Sequence, residues 1–374
     1  MRFRPTVAEV DLGAVRHNAE ALRPASAELM AVVKANAYGH GDVPVATAAV
    51  EAGATWLGVA LVEEGLRLRE AGIGAPILVL TELPPGSEKD ALAADLTPTL
   101  YTEPGLEAVA AAARAVGRVA GVHVKLDTGM HRVGLDPGRA GPFLDHVRER
   151  GLELEGLWTH FAMADEPGDP SARRQLEWFL RVAEGAAARG HRPRYLHAAN
   201  SGAVLAMPQS HLDLVRVGVA LYGISPGPAL DGRAGLRPAM SLRSRVSLVK
   251  RVDAGQGLSY GLRYRLGREA TIATVPVGYA DGYFRGLSER GRVLIRERRY
   301  PVAGTITMDQ LLVDLGDDPV EAGDEVVLFG SQGHDRITAE EVASWIGTIG
   351  YEVVCAVGER VPREYLGGPG GDPG

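Results

Sequence analysis

A lysine stands at the end of a run of apolar residues in the stretch AVVKANAYGHG, residues 31–41. Burying an ammonium group is costly, so Lys34 at this place is either a solvent-facing side chain or a reagent. A partly desolvated amine is the group that Schiff-base chemistry requires. From position alone, exposure to solvent is the more common fate of such a lysine.

Polar residues also follow other apolar runs. They occur in VKLDTGMHRVG, LWTHFA, HAANSGA and RVGVALYG, and comprise Lys125, Asp127, Arg132, His160, Asn200, Ser201, Arg216, Gly218 and Val219. Ser201 and the backbone N–H groups of Gly218 and Val219 would together form a phosphate cradle. Each residue also has a structural explanation, as a helix cap, a core histidine or an ion-pair partner. Their joint appearance at strand ends favours a shared site.

Short apolar runs alternate with longer Ala-, Glu-, Arg- and Leu-rich stretches from about residue 29 to residue 230, which predicts a parallel α/β fold. The predicted strands are MAVVK (30–34), TWLGVA (55–60), PILVL (76–80), DLTPTL (95–100), AGVHVKLD (120–127), LEGLWTH (154–160), RYLHAA (194–199) and DLVRVG (213–218). The predicted helices are 43–52, 61–71, 104–116, 137–150, 171–189 and 202–207. Eight strands can close a (β/α)₈ barrel of the TIM type, whose active site lies at the carboxyl ends of the strands. Pro98 weakens the fourth strand.

The pattern changes after about residue 235. Apolar and polar residues then alternate between turn signals such as DAGQG and LGDDP, which indicates a mainly antiparallel β domain. TVAEVDL, residues 6–12, alternates in the same way. We therefore predict a barrel at residues 13–233 and a β-rich domain at residues 234–374, joined by the N-terminal strand 1–12. Thr338 and Glu341 form a capping box that predicts a helix start in the second domain.

The composition narrows the possible classes of protein. A chain of 374 residues, 45% of them hydrophobic, can bury a large core. A net charge of −7 without a basic patch argues against nucleic acid as a partner. We find no signal peptide and no apolar run near the ~20 residues that span a bilayer, so we expect a soluble cytoplasmic protein. The one cysteine, Cys355, leaves no disulfide framework, and we expect no metal.

The motifs resemble those of the alanine racemases, which are fold-type III pyridoxal-phosphate enzymes. AVVKANAYGHG is similar to the cofactor-lysine motif of that family, and the likeness runs nearly end to end, from TVAEVDLGAVRHN to RVPR. The other motifs stand in the family's order: VKLDTGMHRVG, THFAMADE, HAANSGA, VRVGVALYG, LSYG, VPVGYADG, TMDQ and TIGYEV. Other barrel-type pyridoxal-phosphate proteins share only the first motif. The combination of Arg216 with LSYG and TMDQ is highly specific.

The resemblance implies pyridoxal 5'-phosphate as the cofactor and alanine as the substrate. Lys34 would hold the cofactor as a Schiff base, and Arg216 would donate to its pyridine nitrogen. Tyr260 would be the second catalytic base, contributed by the partner subunit of a homodimer. His160 would bridge Arg216 and Tyr260. Arg132 would contact the cofactor phenolate oxygen and the substrate carboxylate.

Supporting residues follow from the same resemblance. The partner subunit would supply the backbone N–H of Met308 to the substrate carboxylate. The phosphate-binding positions match Tyr38, Ser201, Gly218, Val219 and Tyr351, and Tyr279 and Tyr351 resemble the inner gate of the substrate channel. Lys125 matches a lysine that many members carry as a carbamate, which would pair with Arg132; a direct pair with an acidic side chain is the simpler alternative. The sequence departs from the common family pattern at Thr305, Thr307 and Gly350.

The implied reaction is racemisation of L- and D-alanine by two bases, which would supply D-alanine for peptidoglycan. Lys34 would handle the proton of the D-isomer and Tyr260 that of the L-isomer. Because arginine only donates, Arg216 would leave the pyridine nitrogen unprotonated; on this hypothesis an Arg216→Glu variant gains transaminase activity. Three alternatives remain open: a racemase of broader specificity acting on serine or lysine, a decarboxylase of the same two-domain plan, and a non-catalytic pyridoxal-phosphate carrier.

Overall fold

The computed structural model describes residues 3–368 and divides into two compact units. The first, called the barrel unit, comprises Val15–Ala37 and Gly41–Arg237. The second, called the β-rich unit, comprises the N-terminal segment up to Ala14, Tyr38–His40 and the chain from Pro238 onwards. Residues 1–2 and 369–374, which belong to the predicted second domain, lie outside the described residues.

Parallel strands build the barrel unit, as the alternating sequence pattern predicts. They form a five-stranded sheet and a four-stranded sheet. Their bounds, in chain order, are Glu28–Val32, Trp56–Val59, Ile77–Val79, Leu96–Thr97, Thr99–Leu100, Gly121–Lys125, Glu153–Trp158, Tyr195–His197 and Leu214–Val217. Pro98 has no N–H to donate, and the predicted fourth strand is split there into two short pieces.

Backbone hydrogen bonds join the two sheets into a closed barrel. His123 N donates to Pro98 O at 2.9 Å, and Arg216 N donates to Ala199 O at 3.0 Å. The predicted (β/α)₈ barrel is confirmed. The helices of the first 237 residues have the bounds Leu12–Leu22, Asp42–Glu51, Val62–Glu70, Glu88–Ala93, Glu103–Val116, Ala140–Glu149, Ser171–Ala188 and Ser201–Ala206. Glu88–Ala93 and Leu12–Leu22 were not predicted.

Large apolar side chains fill the barrel where its strands begin. The cluster comprises Met30, Trp56, Leu78, Tyr195 and Leu214, all buried. Side chains from the strand starts therefore form a dry layer, and the polar residues singled out above come from the strand ends. Removing this apolar surface from water stabilises the barrel by roughly 1.5–3 kcal/mol for each large side chain.

Sheets dominate the β-rich unit. The largest runs in the order Arg298–Pro301, Arg292–Ile295, Glu325–Gln332, Met240–Arg245, Val7–Asp11 and Arg363–Leu366, with Asp335–Ile337 paired to Glu325–Gln332. Val7–Asp11 pairs antiparallel with Met240–Arg245 and parallel with Arg363–Leu366. A three-stranded sheet contains Leu248–Val252, Ala270–Val275 and Leu311–Gly316, and a hairpin pairs Gly257–Leu258 with Tyr264–Arg265.

In its described C-terminal part, the β-rich unit also contains the helices Ala339–Ile346 and Gly350–Cys355. Thr338 caps the first by accepting from Glu341 N at 3.1 Å, which is the contact that the capping motif predicts. The second helix falls on the TIGYEV motif and was not predicted. None of the helices in residues 3–368 combines the length and the apolar character that crossing a bilayer requires.

Candidate active site

Lys34 begins a left-handed turn and does not end a strand. The strand that was predicted to run to Lys34 stops at Val32, and φ is between 52° and 53° at each residue from Ala35 to Tyr38. Left-handed helical geometry costs L-residues on the order of 1–2 kcal/mol each, so a run of this kind persists only where the surroundings hold it. The turn places Lys34, half-buried, beyond the first barrel strand.

A buried carboxylate holds this turn. Glu64 Oε1 accepts from Ala35 N at 2.6 Å, and Glu64 Oε2 accepts from Ala60 N at 2.8 Å and from Leu61 N at 3.1 Å. Asn36 adds a second tie, because its Oδ1 accepts from Asp42 N at 3.0 Å. Glu64 therefore joins the residue after Lys34 to the end of the second barrel strand, and sequence reasoning missed it.

Several cations converge at the strand ends. Burial, with the charges of Arg132 and Arg216, lowers the pKa of Lys125 to about 7. Lys125 Nζ lies 4.5 Å from the centre of the Trp158 ring. Asp127 is the carboxylate whose charge acts on Lys125, and its Oδ1 accepts from Gly129 N, Met130 N and His131 N. The simple pairing considered above stays a prediction. With a pKa of about 7, much of the Lys125 amine is neutral at neutral pH, as carbamate formation requires.

Arg216 is buried, and no acidic side chain in residues 3–368 pairs with it. Its Nη2 donates to Thr159 O at 2.7 Å and to Ala198 O at 3.0 Å, and its Nη1 donates to His197 Nδ1 at 3.0 Å. The guanidinium also lies 4.7 Å from the centre of the Trp158 ring, where cation and ring attract each other. Burial lowers the pKa of Arg216 to about 9, so the side chain remains charged at neutral pH.

His160 lies against Arg216, as predicted. The distance from Arg216 Nη2 to His160 Nδ1 is 3.2 Å. Because arginine can only donate, Nδ1 of His160 accepts and its Nε2 carries the proton. Burial, and then the Arg216 charge, hold the pKa of His160 well below its usual value, so the ring is neutral. The predicted link from His160 to Tyr260 stays a prediction.

Ser201 closes a small polar cradle at the last barrel strands. Its Oγ accepts from Gly218 N at 3.0 Å and from Ala220 N at 3.4 Å. The predicted cradle had the Gly218 N–H facing an anion, whereas in the structure this group donates to Ser201. Among the described residues, the hydroxyl proton of Ser201 and the N–H of Val219 are the donors of the predicted cradle that have no acceptor. Arg132, by contrast, lies exposed after its strand.

Tyr260 lies at an exposed hairpin of the β-rich unit, with 75% of its surface accessible. Thr305 holds the hairpin through two hydrogen bonds. Ser259 Oγ donates to Thr305 O at 2.6 Å, and Thr305 Oγ1 donates to Tyr260 O at 2.9 Å. Thr305, noted above only as a departure from the family pattern, therefore positions the backbone of Tyr260.

Tyr279 and Met308 lie side by side in the same unit. Tyr279 N donates to Thr307 O at 3.0 Å, and Ala280 N donates to Met308 O at 3.1 Å. Gly278 is required here, since a Cβ at that position would overlap the carbonyls of Thr307 and Met308. Together with Tyr260 these residues line an open groove of about 400 Å³, which also contains Arg285 and Asp309.

Tyr38 and Tyr351 form an aromatic pair in the β-rich unit. Their ring centres are 6.4 Å apart. Burial raises the pKa of Tyr38, and the neighbouring Tyr351 acts in the same direction, so the phenol stays protonated and can donate. Arg363 Nε donates to Gly39 O at 2.9 Å and ties this segment to the last strand of the unit.

The barrel residues fit the cofactor that the sequence implies. Pyridoxal phosphate needs an amine for its aldehyde, donors for its phosphate and a partner for its ring nitrogen. Lys34 supplies the amine and the Ser201 hydroxyl a phosphate donor. The Nε–H of Arg216 has no acceptor within residues 3–368, which leaves it available to a ring nitrogen. Nothing in this set requires a metal, and no cluster of potential metal ligands occurs among the described residues.

A barrel with an amine, a buried guanidinium and a phosphate cradle at its strand ends defines a barrel-type pyridoxal-phosphate enzyme. The chain matches the family models "Alanine racemase, N-terminal domain" over residues 10–226 and "Alanine racemase, C-terminal domain" over residues 239–365. The chain belongs to the alanine racemase family, whose members are isomerases dependent on pyridoxal phosphate.

Individual relatives agree with this assignment. The alanine racemase of Symbiobacterium thermophilum is 52% identical over 374 residues, covering 98% of each chain. The crystal structure of alanine racemase from the D-cycloserine-producing Streptomyces lavendulae superposes with a TM-score of 0.94 at 47% identity, covering 99% of each chain. That of Bacillus anthracis with bound L-Ala-P gives a TM-score of 0.90 at 39% identity, covering 100% of this chain and 97% of the other.

Proposed function

We propose that this protein interconverts L- and D-alanine with pyridoxal 5'-phosphate as its cofactor. The observation that carries the proposal is Arg216, a buried guanidinium with neutral acceptors only, on the strand next to the one that leads to Lys34. A carboxylate at this position would support other pyridoxal-phosphate reactions. An arginine leaves the ring nitrogen unprotonated because it cannot give up its proton.

When bound, pyridoxal phosphate supplies the electron-withdrawing group that makes the α-proton of an amino acid acidic. The protein has to supply a base on each face of the α-carbon. We assign the D-isomer proton to Lys34 Nζ and the L-isomer proton to Tyr260 Oη. Two fixed bases exchange the proton across the plane without turning the substrate.

His160 supports the tyrosine base. Arg216 holds Nδ1 of His160 as an acceptor, and the remaining Nε2–H of the imidazole is a donor suited to a phenolate oxygen. Such a donor lowers the pKa of a phenol that it contacts. In this proposal Tyr260 and Met308 reach the cofactor of a partner subunit, and the exposure of both side chains supports a homodimer with shared sites.

Arg132 and Lys125 orient the substrate. Arg132 pairs with the substrate carboxylate and the phenolate oxygen of the cofactor, while the Met308 N–H of the partner contacts the same carboxylate. Lys125 carries a carbamate whose negative charge pairs with Arg132. The positive charges of Arg132, Arg216 and Lys34, which lower the pKa of Lys125, favour an anion at this position.

The remaining assignments concern the phosphate and the channel. Tyr38, Ser201, Val219 and Tyr351 bind the phosphate, and Gly218 supports this site through the hydrogen bond from its N–H to Ser201 Oγ. Tyr279 and Tyr351 narrow the entrance. We place the enzyme in the cytoplasm, where D-alanine is needed for the assembly of peptidoglycan precursors. The substrate channel also determines whether larger amino acids reach Lys34, so alanine is the main substrate of this proposal and not the exclusive one.

Purified protein loaded with the cofactor tests the proposal. We expect absorbance near ~420 nm, covalent fixation at Lys34 by borohydride, and loss of the optical rotation of L-alanine. In D₂O the alanine α-proton should exchange with solvent from both isomers. Faster turnover of serine or lysine would indicate a broader racemase. Release of CO₂ would indicate a decarboxylase, and a yellow protein without any turnover would indicate a carrier.

A further inference from the structure

Two histidines continue the hydrogen bonding of Arg216 into the barrel interior. Arg216 Nη1 is 3.0 Å from His197 Nδ1, and His197 Nε2 is 2.9 Å from His123 Nδ1. Both imidazoles are fully buried. His123 Nε2 lies 3.7 Å from Glu155 Oε2, longer than a direct hydrogen bond, and Glu155 lines a groove at the side where the barrel strands begin.

Arg216 determines which ring nitrogen carries the proton in His197 and in His123. A guanidinium can only donate, so His197 Nδ1 accepts and His197 Nε2 carries the proton. That proton is donated to His123 Nδ1, which leaves the His123 proton on Nε2, facing Glu155. Burial lowers the pKa of both histidines, which is consistent with two neutral rings. Hydrogen bonds that all run in one direction strengthen one another.

The packing holds these rings in place. His197 stacks on Trp158 at an interplanar angle of 11°, and the ring centres of Trp56 and His197 lie 5.2 Å and 5.0 Å from that of His123. A Cβ on Gly156 would overlap His123 Nδ1, so the neighbouring strand has to carry a glycine at that position. The space and the partners of both rings are therefore determined by the barrel.

We propose that His197 and His123 are positioning residues, a neutral pair with both protons on Nε2. The pair holds Arg216 in one orientation as a charged donor that no carboxylate of residues 3–368 neutralises. The pair does not touch the reacting atoms. A carboxylate in place of His197 would pair with the arginine directly, whereas a neutral acceptor leaves the positive charge directed at the ring nitrogen. This inference rests on the proposed function for its catalytic consequence, but the protonation pattern does not.

The first test is NMR of the full chain without cofactor, with ¹⁵N-labelled histidine. His197→Asn and His123→Asn variants identify the two signals. We expect both rings as neutral Nε2–H tautomers; an imidazolium or an Nδ1–H tautomer at either residue would overturn the proposal. Glu155→Gln should shift the Nε2 signal of His123. The matched control Glu153→Gln removes a charge from the same groove and should leave that signal unchanged.

The second test separates positioning from packing. In His197→Asn the amide oxygen can replace Nδ1 as the acceptor for Arg216, whereas in His197→Gln the amide reaches only the Nε2 position. Loss of a hydrogen bond to a charged group predicts about 10–100-fold lower kcat for the Gln variant, with KM for alanine nearly unchanged and more pyruvate per turnover. The Asn variant should recover most of this loss.

Equal kcat for the two His197 variants, or an effect confined to KM, would contradict a positioning role. If the wild-type protein does not racemise alanine, the proposed function fails, and the NMR result still decides the protonation pattern. If a His197 variant does not fold, the wild-type spectrum and the Glu155→Gln comparison decide alone, because Glu155 is half-exposed and outside the core.

Discussion

The candidate residues of the barrel unit and those of the β-rich unit differ in burial and in charge. Arg216 is 3% exposed, and its every hydrogen bond is to a fixed acceptor of its own unit. Tyr260 is 75% exposed and Met308 51%, at the edge of an open groove. Arg216 is thus held in place by the barrel itself, whereas Arg132 of the same unit is exposed. The β-rich set presents aromatic and apolar surface to solvent, which favours its use against another chain.

The largest expected effect tests whether Lys34 of one subunit and Tyr260 of its partner form one active site. Lys34→Ala and Tyr260→Phe should each lower kcat by at least about 10²–10⁴-fold, because each removes one of the two bases. Heterodimers of the two variants contain one site with both native bases. A statistical mixture should therefore recover about a quarter of wild-type activity. Two affinity tags allow the heterodimer to be isolated and its racemase activity measured.

The control pairs Lys34→Ala with Arg216→Lys, since both changes lie in the barrel unit. We expect no recovery in that mixture. If the Lys34→Ala and Tyr260→Phe mixture also stays inactive after subunit exchange has been verified, the β-rich set does not complete a partner's site.

An intermediate effect is expected from substitution of Glu64, whose carboxylate holds the turn that follows Lys34. Glu64→Gln removes the negative charge that accepts from Ala35, Ala60 and Leu61, and one amide oxygen can replace only part of those contacts. We expect the free energy of unfolding to fall by about 1–3 kcal/mol and kcat to fall about tenfold. Denaturant unfolding and hydrogen exchange at the Ala35 amide measure this loss.

Glu63→Gln is the matched control, because Glu63 is the exposed neighbour on the same helix. It should leave both quantities within error. Equal effects of the two substitutions would show that Glu64 contributes only its charge to the helix, and not a hold on the left-handed turn.

A smaller effect is expected in the β-rich unit. Thr305→Val removes the donor to Tyr260 O, so the hairpin should become more mobile and kcat should fall about 3–10-fold, as for the loss of one neutral hydrogen bond. Thr307→Val is the control, since within residues 3–368 the Thr307 hydroxyl bonds only the backbone of Gln310 in its own turn. An isotope effect on deuterated L-alanine should rise in the Thr305 variant and not in the control.

The smallest effect concerns Lys125. With a pKa of about 7, its amine is about one-tenth neutral at pH 6 and about nine-tenths neutral at pH 8, and only the neutral amine combines with CO₂. Removing CO₂ should therefore lower the activity a few-fold at pH 8, where the carbamate forms, and less at pH 6, where little of it exists; bicarbonate should restore the loss. Lys125→Gln should not respond. A plain amine in the mass spectrum of active enzyme would contradict the carbamate.

Periodicity predicted the barrel and the β-rich domain because each period reports which faces of an element are buried. The strand alternation of TVAEVDL and the eight apolar runs are local properties of the chain. The local pattern gave a wrong strand end at Lys34, because the strand already ends at Val32. The left-handed turn that follows is unfavourable for its own residues and is held by Glu64, about 30 positions away.

Types and order of residues alone determined the fold class, the reactive lysine, the arginine and the two tyrosines with their family likeness. The tertiary structure decided which groups hold them. Glu64, His197, His123 and Thr305 lie in stretches that have ordinary structural explanations, and nothing local distinguishes them. Burial and hydrogen bonding are properties of the assembled barrel, so the protonation of the histidines and the lowered pKa of Lys125 arise only when distant strands bring charges together.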